Sequence, residues 1–191
     1  EKIFPIIRSK NPETVINTAK AFVQAGIKIL EINMETPEIF EALSEITPIA
    51  DVCAGGIITS YQANAAIKSG AKLLSSPIFH MNLVKISKDR QIPLITGAST
   101  ANEAYKAWKA RVPLIKLYPI TAMGGVLYVE DLLRPMPFLN ILPLGNVKLD
   151  EVKSYINAGA KAVGVGRDFY DGFSLNEITL RAKKVVEDLR N

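Results

Sequence analysis

The segment 112–119, VPLIKLYP, places a single lysine inside an otherwise apolar run. Leu114, Ile115 and Leu117 predict a buried strand, and the prolines near its two ends mark where that strand stops. Burial disfavours the charged ammonium, so the neutral amine of Lys116 becomes accessible near neutral pH. A neutral amine is the form that condenses with a carbonyl to give a Schiff base. The alternative is a lysine whose stem packs on the strand while its ammonium reaches water.

On both sides of this strand the chain alternates between short apolar runs and amphipathic, capped segments. The predicted strands cover 3–7, 27–32, 49–53, 72–75, 92–96, 112–119, 140–143 and 161–165. The predicted helices cover 11–25, 36–46, 59–70, 81–89, 99–111, 126–133, 148–158 and 175–190. A strand–helix repeat of about 20 to 27 residues predicts parallel pairing through right-handed crossovers. Eight such units predict an α/β fold, a compact (β/α)8 TIM barrel formed by residues 1–191 as one domain.

The alternative fold is an open, doubly wound sheet. That fold needs a crevice where the strand order reverses, and it usually carries a glycine fingerprint. The sequence has no such fingerprint, and neither linkers nor low-complexity segments interrupt the alternation. The closed barrel is therefore the favoured architecture.

Composition excludes several classes of protein. The chain has 191 residues, of which 48% are hydrophobic and 22% charged, which suits one substantial core. The single cysteine, Cys53, excludes an internal disulfide, offers no metal-site spacing and predicts a reducing, cytoplasmic setting. No apolar run approaches the roughly 20 residues that span a bilayer, so no membrane association is expected. The net charge of +4 comes from scattered basic residues, which predicts attraction for small anions and no nucleic-acid partner.

In a (β/α)8 barrel the chemistry lies at the carboxyl ends of the strands, so the residues that end each strand are the candidate site. Asn33, Ser76 and His80 also lie near such ends, although His80 is more typical of a helix start or a subunit contact than of acid–base catalysis. The candidate catalytic and substrate-binding residues are Arg8, Glu31, Gly56, Pro77, Thr96, Lys116, Pro119, Leu144, Gly145, Asn146, Gly166 and Arg167.

Glu31 is the second charged residue inside an apolar strand. Strand alternation puts Ile27, Ile29 and Glu31 on one face, directed towards the barrel axis. A carboxylate there is costly unless it is paired, and Lys116 is the expected partner. The pair could be purely structural. The functional interpretation is a general acid and base that moves protons for an imine and an enamine.

Seven short strings resemble a known family in order and spacing across essentially the whole chain. They are LEIN at 30–33, AGG at 54–56, SP at 76–77, IPLITG at 92–97, IKLYP at 115–119, GG at 124–125 and AVGVG at 162–166. The family is that of the class I aldolases that cleave 2-keto-3-deoxy-6-phosphogluconate (KDPG), with relatives acting on the phosphogalactonate epimer or on 4-hydroxy-2-oxoglutarate (KHG).

The resemblance implies a Schiff base between Lys116 and the pyruvyl carbonyl of a small keto-acid substrate, with Glu31 shuttling protons. Cleavage would release an aldehyde such as glyceraldehyde 3-phosphate and leave pyruvate. The resemblance also implies that neither a metal nor an organic cofactor takes part, and that the protein is a homotrimer.

Two departures concern the end of the site that binds the pyruvyl carboxylate. Many relatives have Gly-Thr where this chain has Gly55-Gly56, which removes a hydroxyl. An arginine that part of the family carries after strand two is Glu35 here, which would repel an anionic substrate if it points inward. Other relatives carry an arginine at the end of strand one, as this chain does at Arg8. We therefore expect Arg8 to neutralise the carboxylate, the alternative being a solvated loop arginine.

The remaining departures concern the phosphate end. The family binds phosphate on backbone N–H groups of a Gly-Gly turn and a Gly-Ser turn, which are Gly145-Asn146 and Gly166-Arg167 here. Asn146 adds bulk, and Arg167 either binds an anion directly or fills the pocket. Leu144 replaces a threonine typical of the phosphogluconate enzymes.

These departures leave three other functions open. One is a Schiff-base lyase or decarboxylase for another 2-oxo acid. Another is a degenerate barrel that binds a sugar acid or serves assembly. The third is a phosphosugar isomerase, which needs an intact phosphate cradle and does not need Lys116.

Overall fold

The structure is a computed structural model that describes residues 2–190. Eight parallel strands run in the order β7-β6-β5-β4-β3-β2-β1-β8. A hydrogen bond from Lys161 N to Ile141 O, 3.0 Å long, links the segments that precede β8 and begin β7. The strands are β1 Ile3–Ile7, β2 Ile29–Asn33, β3 Asp51–Gly55, β4 Leu73–Ser76, β5 Leu94–Ala98, β6 Leu114–Leu117, β7 Ile141–Pro143 and β8 Val163–Val165. The predicted (β/α)8 barrel is confirmed.

Helices connect the strands and cover the outside of the barrel. They are α1 Pro12–Gln24, α2 Pro37–Ile46, α3 Ser60–Lys68, α4 Met81–Asp89, α5 Ala101–Lys109, α6 Val126–Leu133, α7 Val152–Asn157, α8 Arg167–Tyr170 and α9 Leu175–Asp188. The 3-10 helix Ile120–Met123 and the four-residue α8 were not predicted, and the predicted helix 148–158 begins with a separate 3-10 helix, Leu149–Glu151. All three are too short to show a helical period in the sequence.

The predicted helix starts are confirmed by their caps. The side chains of Thr59, Thr100 and Ser174 each accept a hydrogen bond from the backbone N–H three residues on, completing capping boxes. His80 caps α4, because its Nδ1 accepts from Asn82 N at 3.2 Å. The helix-start interpretation of His80 is therefore confirmed.

Several strands begin about two residues later than predicted, and helix endings explain the shift. The amide of Ile27 donates to Phe22 O, and the amide of Ile92 donates to Ser87 O. Such bonds satisfy the last free carbonyls of a helix before the strand begins. Apolar character alone does not distinguish these helix-ending residues from strand residues.

The barrel encloses its own small core, separate from the larger core between strands and helices. The inner core is formed by Phe4, Ile6, Cys53, Ile95, Leu142 and Ala162, with Ile29, Leu73, Leu114 and Leu144 packed against it. The predicted alternation along β2 is confirmed from Ile29 onwards, because Leu30 and Ile32 belong to the outer core while Ile29 packs inward. Ile27, which was predicted on the inner face, precedes the strand and belongs to the outer core. Across residues 2–190, no helix combines the length and apolar character needed to cross a membrane.

Candidate active site

Lys116 on β6 and Glu31 on β2 meet inside the barrel. Lys116 Nζ lies 3.0 Å from Glu31 Oε1 and 2.8 Å from Oε2. The two residues are only 4% and 1% exposed, so water competes little for these hydrogen bonds. An amine and a carboxyl group are thus held within proton-transfer distance at the mouth of the barrel.

Two glycines lie beside this pair at positions where a side chain would not fit. A Cβ at Gly55 would lie 2.5 Å from Glu31 Oε1, so any larger residue would displace the carboxylate. Gly97 is in register with Lys116 on the neighbouring strand, and a Cβ there would collide with the carbonyl oxygen of Pro77. The Ala54-Gly55 and Thr96-Gly97 steps therefore have a steric reason at this site.

Cys53 lies beside Glu31 in the strand register and is fully buried. Burial raises the pKa of the Cys53 thiol well above its ordinary value, and the Glu31 carboxylate adds to the rise. The thiol therefore stays protonated at neutral pH. The prediction that Cys53 is a small core residue is confirmed.

Arg8, at the end of β1, is held from several sides. With its oxygen turned towards the guanidinium, the Asn33 amide accepts from Arg8 Nε at 3.2 Å and from Nη2 at 2.9 Å. Glu35 Oε1 lies 3.2 Å from Arg8 Nη1. The Tyr170 hydroxyl accepts from the backbone N of Arg8 at 3.0 Å and contacts its backbone O at 3.3 Å. Arg8 is therefore an oriented guanidinium, with 63% of its side chain exposed to solvent.

Gly56 and Asn33 fit each other closely. Gly56 has φ +75°, and a Cβ there would lie 2.6 Å from a terminal atom of the Asn33 amide. A side chain at position 56 would thus be strained by the backbone and would collide with the amide. Many relatives have a threonine hydroxyl where this chain has Gly56. In this chain the Asn33 amide lies next to Gly56 and hydrogen-bonds Arg8.

The distal end of the site is built from the loops after β7 and β8. Asn146 has φ 54°, a left-handed conformation that asparagine tolerates well, and Gly145 has φ 121°. Lys148 Nζ donates to Asp168 Oδ1 at 2.8 Å, while Asp168 Oδ2 accepts from Leu149 N at 3.0 Å. Within the part of the chain that the structure describes, the guanidinium of Arg167 makes no hydrogen bond or ion pair.

These groups converge on an open cavity of about 950 Å³. Most of the predicted site residues line it, as do several that sequence reasoning gave no role. The predicted lining residues are Arg8, Glu31, Gly56, Pro77, Lys116, Leu144, Gly145, Asn146, Gly166 and Arg167. The additional ones are Ile6, Asn33, Tyr118, Val147, Lys148, Asp168, Tyr170 and Asp171.

Thr96 and Pro119 are not among the residues that line this cavity, which corrects their expected placement. The Thr96 hydroxyl donates to Ile78 O at 2.8 Å, because alternation along β5 turns Ile95 and Gly97 inward and Thr96 outward. Pro119 lies close to the loop after β7, since a Cβ at Gly145 would be 3.0 Å from Pro119 Cα.

The additional lining residues differ in how far the sequence could reveal them. Asn33 was named from the sequence as a strand-end residue, and it continues the inward alternation of Ile29 and Glu31. Lys148 and Asp168 meet only because the loop after β7 approaches α8, which belongs to a separate strand–helix unit. Neither hydrophobic periodicity nor a local sequence motif predicts such a contact.

Fold and site together define a (β/α)8 barrel with a buried lysine–glutamate pair at the carboxyl ends of its strands. Residues 1–182 match the model of the KDPG and KHG aldolase family. The chain therefore belongs to that family and is an aldolase, a carbon–carbon lyase.

Individual relatives agree with this placement. The 2-dehydro-3-deoxy-phosphogluconate aldolase of Treponema pallidum is 27% identical over 158 residues, covering 81% of this chain and 75% of the relative. A native KDPGal structure superposes with a TM-score of 0.90 at 24% identity, covering 100% of this chain and 95% of that one. The Legionella pneumophila KDPG aldolase, with pyruvate captured as a covalent carbinolamine intermediate, gives a TM-score of 0.87 at 24% identity. That match covers 96% of this chain and 93% of the other.

Proposed function

We propose that this protein is a class I aldolase that cleaves a 2-keto-3-deoxy sugar acid to pyruvate and an aldehyde through an imine on Lys116. The observation that carries this proposal is the buried contact of Lys116 Nζ with both oxygens of Glu31. An isomerase would have no use for a nucleophilic lysine at this point. Support also comes from the Legionella relative, since a carbinolamine is the adduct of an amine with a carbonyl.

The reaction can be written with these two side chains. Transfer of one proton along the 2.8 Å hydrogen bond leaves a neutral amine on Lys116 and a carboxylic acid on Glu31. The amine attacks the C2 carbonyl, and the acid returns its proton as the carbinolamine hydroxyl leaves as water. The protonated imine then accepts the electron pair of the breaking C3–C4 bond, which gives an enamine.

Glu31 completes the cycle as base and then as acid. Its carboxylate takes the proton of the C4 hydroxyl as that carbon becomes the aldehyde. It then returns the proton to C3 of the enamine, and water hydrolyses the resulting imine to pyruvate and Lys116. The buried position of both side chains strengthens each charge interaction along this path.

Arg8 is proposed to bind the carboxylate of the keto acid. A guanidinium has five N–H donors, and the described contacts engage Nε, one N–H of Nη2 and one side of Nη1. One N–H on each terminal nitrogen thus remains for a substrate, which matches the bidentate geometry that a carboxylate prefers. Glu35 offsets part of the charge of Arg8 but does not occupy all its donors.

Arg167 is proposed to bind a second anionic group at the far end of the substrate. It lines the cavity, and among the described residues its guanidinium has no anionic partner, whereas Lys148 is already paired with Asp168. A phosphate ester and a carboxylate share the chemistry that such a guanidinium recognises.

The preference for a phosphorylated substrate tests this role. We expect Arg167→Ser to raise the KM for KDPG about tenfold or more while changing the KM for the unphosphorylated sugar acid by less than about twofold. The measurement is steady-state kinetics of both substrates side by side. Equal changes for the two substrates would show that Arg167 shapes the pocket without reading the phosphate.

The imine itself is tested by chemical trapping. Incubation with pyruvate followed by borohydride should add the mass of a reduced pyruvyl group to the peptide that contains Lys116, because reduction makes the imine permanent. Mass spectrometry of the digested protein locates the modified lysine. No adduct, or an adduct on surface lysines only, would contradict the proposed mechanism.

A homotrimer remains the proposed assembly, as the resemblance implies. One supporting observation is an exposed aromatic cluster on the outer surface. Trp108 is 41% exposed and packs against Tyr105 and Phe138, with ring centroids 5.6 and 4.5 Å apart. Burial of such a cluster against another subunit would be favourable.

A further inference from the structure

Ser75 has a buried hydroxyl that takes no part in the proposed reaction. The residue is 0% exposed, and its Oγ makes no hydrogen bond within the described chain. Its backbone carbonyl, by contrast, has a partner, since Ser75 O accepts from Ile57 N at 3.0 Å. A buried hydroxyl without a hydrogen-bond partner lowers the stability of the folded protein, so a functional reason for this residue is expected.

Strand alternation turns this hydroxyl into the barrel. Leu73 packs with the inner core and Leu74 with the outer core, so the next residue of β4 faces inward. Ser75 is also in register with Ile95, a member of the inner core. Its side chain is therefore on the same surface as the lysine–glutamate pair.

The register brings Ser75 next to the carboxylate of Glu31. Cys53 pairs with Leu73 and Ala54 with Leu74, so the register places Gly55 beside Ser75. The Glu31 carboxylate lies directly over Gly55, with Oε1 2.5 Å from where a Cβ would be. Neighbouring strands are about 4.8 Å apart, so the hydroxyl and the carboxylate are separated by roughly one strand spacing.

Imine formation changes the hydrogen bonding of Glu31. In the free protein both carboxylate oxygens accept from Lys116 Nζ, which as an ammonium has three N–H groups. A protonated imine has only one N–H, so at least one oxygen of Glu31 loses its donor. The Asn33 amide turns its oxygen to Arg8 and its NH2 group to Gly56, and the Cys53 thiol is a weak donor. Ser75 is the hydroxyl on this face that is still uncommitted.

We infer that Ser75 is a positioning residue for Glu31: once Lys116 carries the substrate imine, the Ser75 hydroxyl donates to the Glu31 carboxylate and holds it towards the reacting carbons. This inference rests on the proposed function, because it assigns Ser75 a role only in the imine-bearing state. The unpaired hydroxyl of the free protein is then a donor kept ready for the intermediate.

A matched pair of variants tests the inference. Threonine and valine have nearly the same shape and both suit a strand, but only threonine retains a hydroxyl. We expect Ser75→Val to lower kcat about tenfold with KM within about twofold, and Ser75→Thr to keep kcat within about threefold of the parent. Ser75→Ala, which adds no volume, should resemble Ser75→Val if crowding plays no part. All three are compared by thermal unfolding to verify that they fold.

Trapping with pyruvate and borohydride separates the possible failures. The Ser75→Val protein should still accumulate the Lys116 adduct to nearly the parental level, because the lysine is untouched. If the parent traps pyruvate on Lys116 but Ser75→Val and Ser75→Ala keep the parental kcat, the inference about Ser75 is wrong and the proposed function stands. The same holds if Ser75→Thr loses as much kcat as Ser75→Val. If the parent itself forms no adduct, the proposed function fails first.

Discussion

Lys116→Ala is expected to abolish retro-aldol turnover, lowering kcat by about 10⁴-fold or more, because no other group at the site can form the imine. The other lysine that lines the cavity, Lys148, is held by Asp168 at 2.8 Å, so it is not expected to take the place of Lys116. Turnover is measured as pyruvate release from KDPG, and pyruvate trapping with borohydride should give no adduct at position 116.

A second variant separates chemistry from folding. Lys116→Ala leaves the buried carboxylate of Glu31 without a partner, which can destabilise a protein by about 3–5 kcal/mol. Lys116→Arg keeps the positive charge beside Glu31 but cannot form an imine at neutral pH. We expect Lys116→Arg to be folded by circular dichroism and equally inactive. Measurable turnover in a folded variant without the lysine would overturn the Schiff-base mechanism.

Arg8→Ala provides the contrast. Arg8 is placed to bind a carboxylate that is present in the ground state and the transition state alike, so its loss should chiefly raise KM. A large loss of kcat in Arg8→Ala would instead mean that Arg8 orients the reacting carbonyl.

The sequence predicted those features that show within a single strand or helix start. Lys116 and Glu31 each stand out as a charge inside an apolar strand, and a closed barrel brings such inward-facing residues together. The helix starts were equally local, since each cap lies within three residues of its partner amide. Barrel closure follows from the number of strand–helix units, which counting along the chain provides.

Contacts between segments that are far apart in the chain could not be predicted from the sequence. Nothing in the alternation predicts that Lys148 meets Asp168, or that the Tyr170 hydroxyl reaches back to the backbone of Arg8. The prediction that Thr96 lines the site was wrong for a different reason. A residue at the end of a strand faces either the cavity or the surrounding helices, and an error about where the strand begins leaves that choice unsettled. The structure resolves it through the hydrogen bond from Thr96 to Ile78 O.

Glu31→Gln is expected to slow the proton transfers while leaving the amine that forms the imine in place. Glutamine has nearly the same shape and can still hydrogen-bond Lys116, but it cannot take up and return a proton. Borohydride should still trap pyruvate on Lys116 after long incubation, although more slowly because Glu31 also supplies the proton for loss of the carbinolamine hydroxyl, while kcat for cleavage falls by about 10²- to 10⁴-fold. The Lys116 variants lose both properties, so the two residues should be distinguishable by this pair of measurements.

Exchange of the pyruvate methyl protons with deuterated water isolates the step assigned to Glu31. Exchange requires the imine to lose a proton from C3 and regain one from the acid, with no aldehyde present, and proton NMR follows it directly. We expect the parent to catalyse this exchange and Glu31→Gln to slow it by about 10²-fold or more. Gly55→Ala should slow it as well, because the added Cβ would lie 2.5 Å from Glu31 Oε1 and push the carboxylate aside. If Glu31→Gln exchanges protons at the parental rate, another group moves them and the 2.8 Å contact with Lys116 serves only to place the amine.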